Sequence, residues 1–171
     1  FVEPAPVSMV EVRELALRLL DRAEQESKAA HDGASLAALE YRFNLWAHTA
    51  SKDHDGWETD FPEWSPLINA AYGDMVDSRG ASIVPDQILR IANVWLQSEE
   101  TEELAERVRQ DPTRVDPAVL RAIRSAGDWK CRWQVYDVGA GHPELGVAFV
   151  LEGMRDEHPY VRQRCLNRLA E

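Results

Sequence analysis

The chain reads as all-α. Three observations predict this. Apolar residues recur at three- and four-residue spacing in segment after segment, and Ser, Asp and Pro stand where those segments begin. No stretch alternates apolar and polar residues as a half-buried strand would. A length of 171 residues suits one domain whose core needs neither disulfides nor metals. We read residues 1–171 as a single all-α domain of about eight or nine helices.

The elements follow in order. Residues 1–7 contain two prolines and form an extended lead-in. Ser8, with Glu11 three residues on, has the spacing of a capping box. Val12, Leu15, Ala16, Leu19, Leu20 and Ala23 continue a helix that Asp32-Gly33 stops. Ser35 opens a second helix with Leu36, Leu39, Phe43, Leu45 and Trp46 on its apolar face. Residues 51–64 break the pattern with five acids, one lysine and three aromatics. Long loops of this kind are often functional. Ser65-Pro66 reads as the next helix start, with Ser as N-cap and Pro in the first turn. Pro85-Asp86 opens a helix whose Ile88, Leu89, Ile91, Ala92, Val94, Trp95 and Leu96 make it the most buried element of the front half. Acids from Glu99 lead into a helix from Leu104 to Arg109, and the basic Arg107 and Arg109 at its end complement the helix dipole. Asp116-Pro117 starts the next. Segments at Trp129–Tyr136, at Pro143–Met154 and at Pro159–Leu169 complete the set.

The formal charge of −11 is unevenly placed. Residues 1–120 carry 11 Lys and Arg against 23 Asp and Glu, whereas residues 121–171 carry 8 against 7. An acidic front disfavours nucleic acid and anionic membranes as general partners and suits a basic protein. It also keeps a protein soluble. Cys131 and Cys165 lie among apolar helical residues and read as buried free thiols, so a reducing cytoplasm is the expected location. No apolar run approaches the ~20 residues of a membrane span, and no signal peptide is visible. A start at Phe1 rather than Met fits a trimmed or processed form.

There is no G-x-S-x-G, no phosphate loop and no Gly-rich dinucleotide turn, so no catalytic residue, metal or cofactor is assigned. His31, His54-Asp55 and Asp86 follow the ligand order of HD-type metal-dependent hydrolases. Both His-Asp pairs fall in expected loops, however, whereas such ligands need rigid helices. The candidate partner surface is the acidic aromatic loop, with Asp55, Trp57, Glu58, Asp60, Phe61, Glu63 and Trp64, together with Glu99, Glu100 and Glu103. Aromatics beside carboxylates make a hot spot for a basic protein. The alternative is that these aromatics fold back and staple the loop to the body. Trp46, Trp95 and Trp133 read as core, and His142 and His158, each before a proline, read as turn residues.

The carboxyl-terminal part contains a repeat. Trp129–Tyr136 aligns with Pro159–Leu166 at a shift of 30 residues, pairing Cys131 with Val161, Arg132 with Arg162, Val135 with Cys165 and Tyr136 with Leu166. The run from Asp156 through Val161-Arg162 to Leu169 resembles the core of a HEAT repeat. The resemblance covers residues 117–171. It implies an α-solenoid in which Arg162 reaches back toward Asp156 in a ladder between units. In the earlier copy Ala126 stands at the ladder-acid position, with Asp128 close by. One helical pair cannot bury its apolar face alone, so residues 1–116 are expected to supply degenerate or capping helices. The resemblance implies a non-catalytic adaptor, scaffold or inhibitor. HEAT-like solenoids also include alkyl-base DNA glycosylases with a basic, Trp-lined concave face. Arg132, Arg162, Arg164 and Arg168 with Trp129 and Trp133 match that in kind, while the acidity of the chain opposes phosphate binding.

Overall fold

The computed structural model describes residues 35–50, 60–78 and 84–170. The helix expected near residues 8–30 lies outside them. The described residues form α1 (Leu36–Ala50), α2 (Trp64–Asp77), α3 (Pro85–Gln97), α4 (Glu103–Gln110), a 3-10 turn (Pro112–Arg114), α5 (Pro117–Ala126), α6 (Trp129–Ala140), α7 (Gly146–Gly153) and α8 (Pro159–Ala170). No strand occurs among them, so the all-α class is correct.

The local rules explain most helix starts. Pro85 and Pro117 occupy first helical positions, where a missing N–H costs nothing. Asp116 caps α5 by accepting the Ala118 N–H at 2.8 Å, and Asp128 caps α6 by accepting that of Lys130 at 3.1 Å. Two starts differ from expectation. α2 begins at Trp64, ahead of Ser65, because the Trp64 ring is drawn into the core and the Trp64 main-chain N–H donates to Phe61 O. α7 begins at Gly146 rather than at Pro143. The reason is His142, which is buried and organises the turn before it. Its Nδ1 accepts the Glu144 N–H at 3.1 Å, which leaves Nε2 to donate to Val115 O at 3.1 Å. Gly146 then takes a positive φ of 53°, a conformation that favours glycine.

Helices two apart in the chain pack together: α1 with α3, α2 with α4, α3 with α5, α4 with α6 and α6 with α8. One buried apolar cluster runs through all eight helices. α6 sits at its centre, in contact with α3, α4, α5, α7 and α8. α6 accordingly buries Cys131, Trp133, Val135, Tyr136 and Val138, while its Lys130, Arg132 and Asp137 remain partly exposed. Gly139 lets α7 approach, since a Cβ there would strike the Phe149 ring. Its one fully buried polar side chain, Gln134, is satisfied on both ends. Gln134 Oε1 accepts from Trp95 Nε1 at 3.1 Å, and Nε2 donates to Lys130 O at 3.0 Å and Trp95 O at 3.4 Å. Ser98 Oγ donates to the same Trp95 carbonyl. On the opposite side of α3, the half-exposed Arg90 and the exposed Asn93 bond to the buried Glu40 of α1 at 2.8 and 3.0 Å.

Two outcomes follow. Gln134→Leu strands the Trp95 indole N–H and should cost roughly 2–3 kcal/mol in urea unfolding, while the double variant with Trp95→Phe should cost about 1 kcal/mol less than the sum of the singles. Burial pushes the Cys165 thiol up to about 11 and raises that of Cys131 further. Both should therefore resist iodoacetamide in the native protein at neutral pH and react together on unfolding, as mass spectrometry of alkylated protein would show.

Candidate functional site

Among the described residues, one bond joins the two acidic segments singled out in the sequence, from Trp64 at the start of α2 to Glu103 at the start of α4. Asp55, Trp57 and Glu58 lie outside the described residues. Phe61 and Trp64 do not face outward: both are buried, in an aromatic group with Phe43 and Trp46. Phe61 stands edge-on to Phe43 at 5.4 Å, and Trp64 lies 5.8 Å from Phe43. Removing this ring area from water fixes the end of the loop to α1. Trp64 Nε1 donates to Glu103 Oε2 at 3.0 Å, which joins the loop end to the start of α4. Glu63 takes a bidentate bond from Arg42, at 2.6 and 2.9 Å. Asp60 is exposed beside it.

Glu99 and Glu100 follow α3 and line a shallow cleft of about 400 Å³ with Leu96, Gln97, Asp128 and Lys130. Lys130 reaches across it to Glu99 at 3.1 Å, and this hydrogen bond chiefly raises the lysine pKa. Glu100 is exposed.

A charge network beside this edge escapes sequence reading. Arg109 contacts Glu102 at 2.6 Å, Asp137 at 2.7 Å and Glu106 at 3.2 Å. Burial opposes the guanidinium charge, but the bonds to Glu102 and Asp137 outweigh it and raise the Arg109 pKa. Arg164 and Arg168 of α8 extend the network to Glu102 at 3.7 Å and Asp137 at 3.5 Å. Glu102 holds its place with a positive φ of 52°, which a residue with a Cβ adopts at a cost. The sequence signal was limited to Arg107 and Arg109 complementing the dipole of α4. Their partners on α6 and α8 follow only from the fold.

The turn before α8 also corrects an expectation. The Asp156 carboxylate is not held by the Arg162 side chain. Arg132 of α6 grips it with Nε at 2.8 Å and Nη2 at 2.9 Å, while the His158 N–H donates to it at 2.8 Å. Arg162 instead donates to the main-chain oxygens of Asp156 and Glu157, both at 2.8 Å. The repeat positions agree in part: Cys131, Val135, Val161 and Cys165 are all buried, but Tyr136 is buried and its counterpart Leu166 is exposed. The arginines considered for nucleic acid thus engage this chain's own groups.

Of the hydrolase ligands, His31, His54 and Asp55 lie outside the described residues, and Asp86 is exposed in the first turn of α3. Among the described residues no three His, Cys, Asp or Glu come together to hold a metal. No described helix is long and apolar enough to cross a membrane.

Burial opposes ionisation of Asp156, yet Arg132 and the His158 N–H together hold its pKa below the usual value. A depressed carboxyl stabilises the fold above its unfolded pKa of ~3.9 and loses that contribution as the pH falls through the folded value. Asp156→Asn should therefore cost roughly 3 kcal/mol at neutral pH, the pair being largely buried. The gap between variant and parent in chemical denaturation should close as the pH falls below ~4.

Comparison of the chain with protein-family models, with curated proteins and with solved structures returns no match in any of the three.

Proposed function

We propose that the chain is a non-catalytic protein-interaction module, an adaptor, scaffold or inhibitor built from stacked HEAT-like helical pairs, which presents an acidic edge to a basic protein partner. Two structural features support the stacked-pair part. Helices two apart pack in two successions, α1, α3, α5 and α2, α4, α6, α8, as neighbouring pairs in a solenoid do. The Arg132 to Asp156 pair then links one helical pair to the turn of the next. These are the kinds of contact from which the ladder of that family is made, although the arginine comes from the preceding pair.

The observation that carries the acidic-edge reading is the bond from Trp64 Nε1 to Glu103. It brings the end of the 51–64 loop against the start of α4. Asp60 and Glu63 thereby come near a second acidic run that extends back to Glu99 and Glu100. The buried Phe61 and Trp64 make that edge rigid. Rigid presentation lowers the ordering cost of binding. Carboxylates at an exposed rim govern the rate and the salt dependence of association more than its final affinity. The charge of −11 gives the long-range attraction the right sign.

A fluorescent decapeptide of alternating Lys and Ser, followed by anisotropy, tests this. Replacing Asp55, Glu58, Asp60 and Glu100 by their amides should weaken binding about tenfold at low ionic strength and flatten its dependence on salt. Unchanged binding with unchanged salt dependence would remove the acidic edge from the account. A pull-down from native lysate at low salt then identifies the physiological partner, which should be basic and released by salt.

A further inference from the structure

α6 and α8 meet along a seam of rings. Trp129 stacks on His158 with centroids 4.3 Å apart and planes 10° from parallel. Tyr160 stands edge-on to Trp129 at 5.4 Å and to Trp133 at 6.1 Å. The Arg164 guanidinium lies over Trp133, 4.0 Å from its ring centre. Two buried polar atoms of this seam make no hydrogen bond, Trp133 Nε1 and His158 Nδ1. Trp133 is only 2% exposed. An indole N–H can only donate, and folded proteins rarely leave a buried donor unpaired. The other buried indoles among the described residues are paired: Trp64 with Glu103 and Trp95 with Gln134.

The groups around Trp133 share one character. Arg164 is 37% exposed, and its carboxylate contact, Glu102, is 3.7 Å away and already held by Arg109 at 2.6 Å. Tyr160, also 37% exposed, brings a hydroxyl. A guanidinium, an indole N–H and a phenol against aromatic walls are a set rich in donors, and what such a set lacks is an anionic acceptor. A planar carboxylate suits it best, because a guanidinium recognises that group in its own plane.

We propose that this seam binds a carboxylate side chain of an acidic protein segment, which accepts from Trp133 Nε1 and from Arg164 while the Tyr160 ring turns aside. Tyr160 lies in the first turn of α8, on the surface, so its ring can rotate without disturbing the helix. The unpaired donor in the free protein is then the part of the site that waits for its acceptor. This seam borders the acidic edge, since Arg164 lies 3.7 Å from Glu102, but it has the opposite charge preference and contains none of the acids replaced in the test of that edge, so the two tests are read independently.

The test uses the whole chain and a fluorescent decapeptide of alternating Glu and Ser, with the Lys and Ser decapeptide as control. Trp133→Phe keeps a ring and removes the donor. It should weaken binding of the acidic peptide about tenfold and leave binding of the basic peptide unchanged. Arg164→Gln should weaken the acidic peptide similarly, and its side chain is far more exposed than that of Trp133, so it serves if the Trp133 variant fails to melt cooperatively. Failure of the acidic peptide to bind the parent chain overturns the proposal. So does equal binding to parent and both variants, the result expected if an ordered water alone satisfies the indole.

Discussion

A polar side chain shut away from water ties this molecule together. Gln134 lies in the middle of α6, the helix that touches five others, and exchanges hydrogen bonds with the Trp95 indole and carbonyl of α3. A buried amide left half-paired would cost more than an apolar residue in its place, so the bond fixes the register of α6 against α3 as well as their contact. Everything that faces solvent inherits its position from that register. Lys130 lies one turn before Gln134 and reaches Glu99 just past the end of α3. Asp137, three residues after it, takes up Arg109 from α4 and Arg168 from α8.

Charge is distributed around this core with a clear division of labour. Most described arginines are engaged in holding helices together: Arg42 holds the loop end, Arg109 joins α4 to α6, and Arg132 joins α6 to the turn before α8. Several of these bonds engage acids at the loop end and the start of α4: Arg42 holds Glu63, and Arg109 holds Glu102 and Glu106. The strained φ of Glu102 is consistent with this, since that residue is held where two arginines from different helices converge.

Much of the helical layout is legible in the sequence because helix starts are local. Pro85, Pro117 and Pro159 mark first turns, and Asp116 and Asp128 reach backbone groups two residues on. What the sequence hides is any interaction whose partners are far apart along the chain. Gln134 finds Trp95 at a separation of 39 residues, and Asp156 finds Arg132 at 24. The HEAT-like pattern assigned Asp156 to Arg162 because those two are near in sequence; packing of α6 on α8 supplies a nearer guanidinium. The aromatic loop shows the same limit. Phe61 and Trp64 look like exposed hot spots among acids, yet a core opened by Phe43 and Trp46 lies within reach and takes both rings. The acids next to them remained on the candidate edge, and the bond joining Trp64 to Glu103 could be found only in the fold.

In our proposal a core centred on α6 carries an acidic edge for a basic partner. Amide hydrogen exchange, measured along the whole chain with and without the Lys and Ser decapeptide, tests it most directly. Exchange should be slowest in α3 and α6 in both conditions, with added protection confined to residues 53–64 and 99–106 when the peptide binds. Added protection on α7 and α8 instead, or fast exchange throughout α6, would contradict it.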